Sequence, residues 1–593
     1  MSNVRIGAAA VDDIAAAWFA AGGSQPGLAY GVVAGGELVH AGGLGERWTG
    51  GPAPDAETVF RIASMTKSFT AALVLALRDA DELRLDDAAA SYVPELTGLR
   101  PPAPDCPPVT IRHLLTMTAG FPADDPWGDR QQGLDPAEFA RMLADGEVRY
   151  AWAPGTRFEY SNVGYAILGR VIESVVRQDY AQAVRARILT PLRLDRTGYG
   201  AGQFEPGQLA RGYRRDGESW LELQPDPYGA FAPMGGAFSC VRDLARWVAG
   251  FAAAFPPRAL DGPAAESHPL CRATRREMQF PHVTIPAGGD GTAIRFGGLP
   301  RISYGFGLFC EDDPSFGDIV QHSGGYPGFG SNMRWHPASG LGVIVLANGT
   351  YAPAGALASE LLSALLTAET SAADSANCRV LGSAPDRGGP WPETLAARDR
   401  VDDLLQHWDD DLAARLFAPN VDLDRPLAER RADIARLAER IGPFGGNGDR
   451  AAECDSPAHC RWWLTGPAGT VAVQIRLAPL NRTMVQQLIV AVPPDPISPL
   501  GRTLAAVVGL ITADAAEWPA GVATGGGLRT DDVLRQLRMA SAWAGPVELD
   551  SYLAGNGTTG TTVRLIGAAG HVELTLDVGG SGELVRAGIS LGS

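Results

Sequence analysis

Lysine is all but absent. The 593 residues hold 50 lysines and arginines together, and Lys67 is the single lysine among them, leaving 49 arginines. A phosphate-cradling loop of the Gly-Lys-Ser/Thr kind needs lysine after glycine, and Lys67 follows Thr66, which excludes P-loop chemistry. Any Schiff base would also have to form on this one residue. Arginine supplies a solvated positive charge as readily as lysine, but it stays protonated in proteins and cannot act as a base. A lone lysine therefore points to a task that arginine cannot perform, weighed against the plainer reading that arginine-rich coding left one survivor.

Other absences narrow the field. The seven cysteines are odd in number, scattered and without a Cys-x-x-Cys, so they indicate neither a disulfide framework nor a zinc site. Cys454 and Cys460, with His459 beside the second, are placed to close a small loop, though a reduced hairpin is the blander reading. The first residues carry Asp12 and Asp13 where a signal peptide needs an apolar run. The longest strongly apolar helical stretch, Phe69 to Leu77, falls far short of a membrane span. Together these predict a cytoplasmic protein that meets no membrane. A net charge of −17 repels a phosphate backbone, so nucleic acid is not an expected partner.

What is present is a globular composition, 45% hydrophobic and 20% charged, in a chain too long for one ordinary core. Helical patterns cover 11–21, 68–80, 110–118, 136–144, 163–177, 240–254 and 353–369. The stretch GLAYGVVAGGELVHAGGLG reads as a hairpin, and 303–309, 317–322, 331–336 and 342–347 read as strands. One antiparallel sheet assembled from both ends of the first 370 residues, carrying a helical insert with a cleft between, is the expected arrangement. Residues 371–392, rich in Ser, Ala, Gly and Pro, read as a linker. Beyond it, Leu464-Thr-Gly-Pro-Ala-Gly-Thr-Val-Ala-Val matches Leu565-Ile-Gly-Ala-Ala-Gly-His-Val-Glu-Leu at an offset of 101 residues. Each copy follows a Gly-Pro (442–443 and 545–546) that closes a helical pattern (429–441 and 530–543). The tail thus reads as two α+β units of about 100 residues, 393–497 and 498–593, parted by the Pro-rich 492–501.

Three short motifs carry chemistry. Ser64-Met65-Thr66-Lys67 opens a helix apolar on every side, and positions i and i+3 share a face, so the hydroxyl and the amine meet over its N-terminus. To be neutral near pH 7 the amine must fall from about 10.4, a cost of about 4 kcal/mol, which burial beside other cations would supply. Tyr160-Ser161-Asn162 leads into a second helix. With a cationic amine nearby the Tyr160 phenolate is favoured, so the pair can take the Ser64 proton and pass it on; the bland alternative is that Tyr160 packs and Asn162 caps the helix. His322-Ser323-Gly324-Gly325 ends a strand, where a glycine pair permits close approach of a ligand, and the backbone N–H groups of Ser64 and Gly325 are candidates for an oxyanion hole.

This order of motifs resembles the class C β-lactamase-related serine hydrolases, a superfamily that includes penicillin-binding DD-peptidases, D-aminopeptidases and family VIII-type esterases. Phe60-Arg-Ile-Ala-Ser-Met-Thr-Lys, Ile111-Arg-His-Leu-Leu-Thr-Met-Thr-Ala-Gly and Met234-Gly-Gly-Ala-Phe-Ser extend the likeness across roughly residues 10–370. It implies an α+β fold of the beta-lactamase/transpeptidase type for 1–370, no cofactor and no metal. Ser64 would be the acylated nucleophile, Lys67 and Tyr160 the proton-handling pair, and Asn162 a contact for the acyl group. His322 would stand where relatives carry a lysine that holds a substrate carboxylate, and Trp127, in the loop Asp124–Arg130, would line the pocket. A mostly neutral histidine holds a carboxylate poorly. The resemblance therefore implies hydrolysis of a small ester or amide, with a D-aminopeptidase or β-lactamase-type amide hydrolase as the alternative. An idle hydrolase domain in a binding or assembly protein is the rival from another class, and an oligomer formed through the C-terminal repeats stays open. No Gly-x-Ser-x-Gly occurs, so an α/β-hydrolase is the wrong comparison. Asp409-Asp410-Asp411 reads as a solvated helix end rather than a metal site.

Overall fold

The computed structural model describes residues 7–22, 25–217, 219–255, 268–285, 301–313, 315–370, 390–446, 451–454, 456–513, 518–519, 521–525, 528, 530–567, 570–580 and 582–592. The chain divides into two compact units, one drawn from residues 1–287 and 301–379, the other mainly from 380–593. Most of the expected linker, 371–389, lies outside the described residues.

The first unit is built on an eight-stranded antiparallel sheet. Its order is Glu37–Gly45, Gly27–Ala34, Gly342–Ala347, Phe329–Trp335, Gly317–Tyr326, Phe309–Asp313, Arg301–Tyr304 and Val283–Thr284. Strands from both ends of the unit meet as its second and third members, with Tyr30 opposite Val345. Gly27–Ala34 and Gly342–Ala347 are buried along their whole length, which explains their unbroken apolar runs where a half-exposed strand would alternate; Phe329–Trp335 is equally buried but carries Ser331, Asn332 and Arg334. Helices Ala8–Gly22 and Ala354–Thr370 pack with one face of these strands through Val11, Leu357, Leu361 and Leu365. The amphipathic helix Val241–Ala252 packs against the same strands, with Val241 lying over Gly31.

Between Glu37–Gly45 and Val283–Thr284 the chain forms the helical insert. Helix Thr66–Asp79 is buried almost throughout and contacts helix Asn162–Val176 and the short helix Ala232–Gly235. Two expectations shift. The 303–309 run is not one strand: residues 305–308 form a turn, with Gly305 N–H donating to Leu308 O, and the apolar Phe306 and Leu308 are buried in it. The strand expected over 317–322 continues to Tyr326, so the His322–Gly325 motif lies within a strand rather than after one, pairing His322 with Met333 and Gly324 with Ser331.

The second unit carries four helices, Pro392–Gln406, Asp410–Leu416, Pro419–Asp424 and Leu427–Ile441, ahead of the hairpin His459–Gly466/Gly469–Leu477. The hairpin Gly560–Gly567/Gly570–Val578 repeats it at the same 101-residue offset, after helix Thr530–Ala544. Each half has its own apolar core, yet both halves share one sheet, joined by a parallel contact between Val471 and Tyr552. Asp409 caps the helix Asp410–Leu416 by accepting from Leu412 N–H at 2.7 Å. Cys454 and Cys460 are free thiols. Among the described residues no helix is long and apolar enough to cross a membrane.

Candidate active site

Ser64 lies in a one-turn 3₁₀ segment, Ala63–Met65, between the short strand Phe60–Arg61 and helix Thr66–Asp79. Ala63 has φ +47°, a left-handed conformation that costs a non-glycine residue about 1–2 kcal/mol. The turn is held from several sides. Thr66 Oγ1 donates to Ala63 O at 2.6 Å, and Ser331 Oγ donates to Ile62 O at 2.8 Å. Strand Gly317–Tyr326 also presses close: a Cβ on Gly324 would stand 2.2 Å from Ile62 O and 3.1 Å from the Ala63 methyl, so only glycine fits there.

One helical turn on, Lys67 is fully buried and Ser64 nearly so, at 8% exposure. Lys67 Nζ has three oxygen neighbours, Ser64 Oγ at 2.9 Å, Asn162 Oδ1 at 2.7 Å and Met234 O at 2.9 Å. The last two can only accept. A neutral amine gives its two N–H groups to them, which leaves its lone pair directed at the Ser64 hydroxyl. The Tyr160 ring lies beside the same nitrogen, 4.8 Å from centroid to Nζ.

The electrostatics differ from the expectation in two respects. Burial pushes the Lys67 amine down to about 8, but the charges that reach it are the carboxylates of Asp125, Asp129 and Asp124, which push it back up. The expected neighbouring cations are replaced by anions, and desolvation alone lowers the amine. Nor is Tyr160 poised as a phenolate: burial, followed by the charge of Asp125, drives its hydroxyl well above the ordinary tyrosine value, against a hydrogen bond with Ser64 that lowers it. At neutral pH this phenol holds its proton.

Asn162 is the first residue of its helix rather than the cap. Ser161 caps, accepting from Gly164 N–H at 3.3 Å, and the buried Asp124 carboxylate takes the N–H groups of Asn162 at 2.6 Å and Val163 at 2.9 Å. Burial raises Asp124 to about 7 despite these bonds. The Asn162 side chain thereby turns to Lys67 and, through Nδ2, to Asp125 Oδ1 at 2.7 Å.

His322 is buried, and both ring nitrogens are engaged: Nδ1 with Ser323 O at 2.6 Å and Nε2 with the Tyr304 hydroxyl at 3.3 Å. Burial, with the charge of Lys67 adding to it, pushes its pKa down to about 3, so it is neutral. It offers no charge to a substrate carboxylate. Gly325, in the same strand as His322, pairs with Gly330 of the neighbouring strand Phe329–Trp335 and lies next to the Tyr351 ring. Trp127 is buried edge-on against Phe231 at 5.7 Å and anchors its loop instead of presenting its indole to solvent; the neighbouring Gly128 rests on Asn162. The structure thus brings Ser64, Lys67, Tyr160 and Asn162 together and sets Gly324 against the turn that carries Ser64.

Sequence reasoning passed over Asp124, Asp125, Asp129 and the Met234 carbonyl. In the Asp124–Arg130 segment the aspartates, more than the tryptophan, act on Lys67.

A family model described as Beta-lactamase matches residues 15–366. Protein flp of Staphylococcus aureus (strain MW2) is 27% identical over 296 residues, 49% of this chain and 53% of that protein. Penicillin-binding protein 4 of Amycolatopsis lactamdurans is 39% identical over 171 residues, 28% of this chain and 43% of that protein. The chain spans about half the length of the curated relatives it matches. In fold it is similar to the octameric penicillin-binding protein homologue from Pyrococcus abyssi, with TM-score 0.52 and 21% identity over 82% of this chain and 96% of that one. That share of the chain exceeds residues 15–366, so the likeness of fold runs into the second unit.

Proposed function

The chain belongs to the beta-lactamase family, and from that membership we propose that it is a serine hydrolase that cleaves a small ester or amide through an acyl-enzyme on Ser64. Neutral Lys67 takes the Ser64 proton as Oγ bonds to the substrate carbonyl carbon. The bond to the leaving group then breaks, the leaving group takes its proton from the Tyr160 phenol, and Lys67 returns one to Tyr160. Water repeats the sequence in reverse, releasing the acid and restoring the hydroxyl. The N–H groups of Ser64 and Gly325 receive the developing oxyanion, and Asn162, at the edge of the acyl group, holds the amine.

The observation that carries this reading is the set of three oxygens around Lys67 Nζ, two of them acceptors only, with the third on Ser64. The neutral, internally bonded His322 favours substrates without a terminal carboxylate over penicillins and D-Ala-D-Ala peptides. The test is Ser64→Ala. It should abolish p-nitrophenyl ester turnover and fluorophosphonate labelling, which intact-mass analysis locates in the wild type; turnover retained by the variant would defeat the assignment. A panel of chromogenic esters, D-aminoacyl anilides and a chromogenic cephalosporin then ranks the substrate classes, with esters expected first. A cytoplasmic location and an oligomeric state are further parts of the proposal, the second checked by solution mass.

A further inference from the structure

Asn162 stands between two groups that each dictate how its amide must point. Its Oδ1 accepts from Lys67 Nζ at 2.7 Å, and its Nδ2 donates to Asp125 Oδ1 at 2.7 Å. An amine at this contact donates protons and a carboxylate offers only lone pairs, so neither contact survives if the amide turns over. The backbone of Asn162 is fixed separately by the Asp124 carboxylate. Asp125 therefore does not hold the helix end; it acts on the side chain. It is also the exposed member of the group, opening the short helix Asp125–Gly128.

We propose, resting on the Ser64 reading, that Asp125 is a positioning residue: by holding the Asn162 amide with its oxygen toward Lys67, it commits one amine N–H to that oxygen and aims the lone pair at Ser64 Oγ. Met234 O, held by the backbone, takes the other N–H. Without Asp125 the amide is free to present its NH₂ to the amine. The lone pair then accepts from Asn162 in place of Ser64, an arrangement that cannot deprotonate the nucleophile. The Asp125 charge has a second, opposing effect, because it favours the ammonium form of Lys67. The charged or titratable groups facing that amine are Asp124 and Asp129 from the same loop, Tyr160 and Tyr165 from the neighbouring helix segment, and His322 from the sheet. Asp125 is the strongest of the three carboxylates acting on it.

The single lysine makes the test direct. Protein labelled with [¹³Cε]-lysine carries one such site, so its titration by NMR reports Lys67 without background. In Asp125→Ala, fluorophosphonate labelling of Ser64 should slow by about a hundredfold, the scale of a misaligned reacting pair, and the lysine should titrate at lower pH than in the wild type. Asp125→Asn retains an acceptor for Nδ2 without the charge. It should restore labelling to within a few-fold of wild type while the lysine still titrates at the lower pH. A merely structural role would reduce the yield of folded protein and give no selective rescue by asparagine, whereas the lysine titration follows the lost charge in either case. Labelling of Asp125→Ala at the wild-type rate, or no rescue of labelling in Asp125→Asn, would overturn the proposal. Failure of the wild-type protein to label at Ser64 would instead remove the hydrolase reading, and an unshifted lysine titration in the two variants would still count against Asp125 as a neighbour of that amine.

Discussion

Two buried cations, one in each unit, are handled in opposite ways. In the second, Arg564 is buried between carboxylates that neutralise it: Glu453 takes both its terminal nitrogens, at 2.5 and 3.1 Å, and Glu573 takes one at 2.9 Å. Pairing a buried cation directly with carboxylates is how a protein keeps an ion inside without altering its chemistry. In the first unit, Lys67 touches no carboxylate oxygen among the described residues; its contacts are a hydroxyl, an amide and a carbonyl, with the carboxylates of Asp124, Asp125 and Asp129 acting from beyond them. Desolvation then wins, and the amine falls to about 8. Neutralising a charge by pairing keeps it fixed; leaving it unpaired makes it able to lose its proton. The same unit stores strain at Ala63, next to Ser64, and both the buried Asp124 with its raised pKa and the neutral His322 interact with Lys67. Perturbed groups gathered around one amine are what marks this cluster as the candidate site.

The sharpest way to break this contrast is Lys67→Arg. Arginine is used 49 times elsewhere in the chain and fills a similar volume, but it cannot give up its proton. Turnover should fall by about 10²–10⁴-fold, the usual range for loss of a general base, in protein that still folds. Activity within tenfold of wild type would make the lone lysine an accident of composition.

A pH profile refines the same point with a smaller effect. The base form of Lys67 is gained as pH rises through about 8, so kcat/KM should climb about tenfold per pH unit below that value and level off above it. His322, pushed down to about 3, contributes no step near the ordinary histidine value, and Tyr160, raised by burial, contributes none near 10. A limb near 6.5 that vanishes in His322→Gln would move the base assignment from the lysine to the histidine.

How much of this was legible in the sequence depends on how local each cause is. Helix Pro136–Ala144 was readable at both ends because its determinants are adjacent: Asp135 accepts from the N–H groups of Ala137 and Glu138, and proline occupies the first turn. The Ser64–Lys67 contact is likewise local, two positions on one helical face, and the 101-residue offset needs only a comparison of the chain with itself. Long-range causes left no such trace. Asp124 anchors a helix 38 positions away, and Met234 reaches Lys67 through a backbone carbonyl, which any residue possesses. The expectation of a Tyr160 phenolate failed for a related reason: a neighbouring cation is visible in a motif, whereas complete burial is a property of the assembled fold. The turn at 305–308 was hidden because Phe306 and Leu308 are buried in it and so read like strand residues.

The smallest expected effect tests the other side of the comparison. Glu453→Gln preserves the shape of the Arg564 clasp and removes one charge, while Glu573 still holds the guanidinium. A lost charge-assisted hydrogen bond in this half-buried position should cost about 1–2 kcal/mol, lowering the melting temperature of a unit this size by about 2–4 °C per kcal/mol. The loss has a defined pH window. Burial raises the Glu453 carboxyl, but the hydrogen bond and charge of Arg564, with those of Arg461, outweigh it and hold the pKa below the usual value. Its contribution is therefore present above the unfolded value of about 4.3 and disappears as pH falls through the lower folded one, so wild type and variant should converge in acid. Ester turnover per folded molecule should stay within about twofold, because paired charges here do structural work only and the reactive groups belong to the first unit. A parallel fall in kcat/KM would show that the second unit shapes the site as well as standing on its own sheet, and would end the division of labour that the two treatments of charge imply.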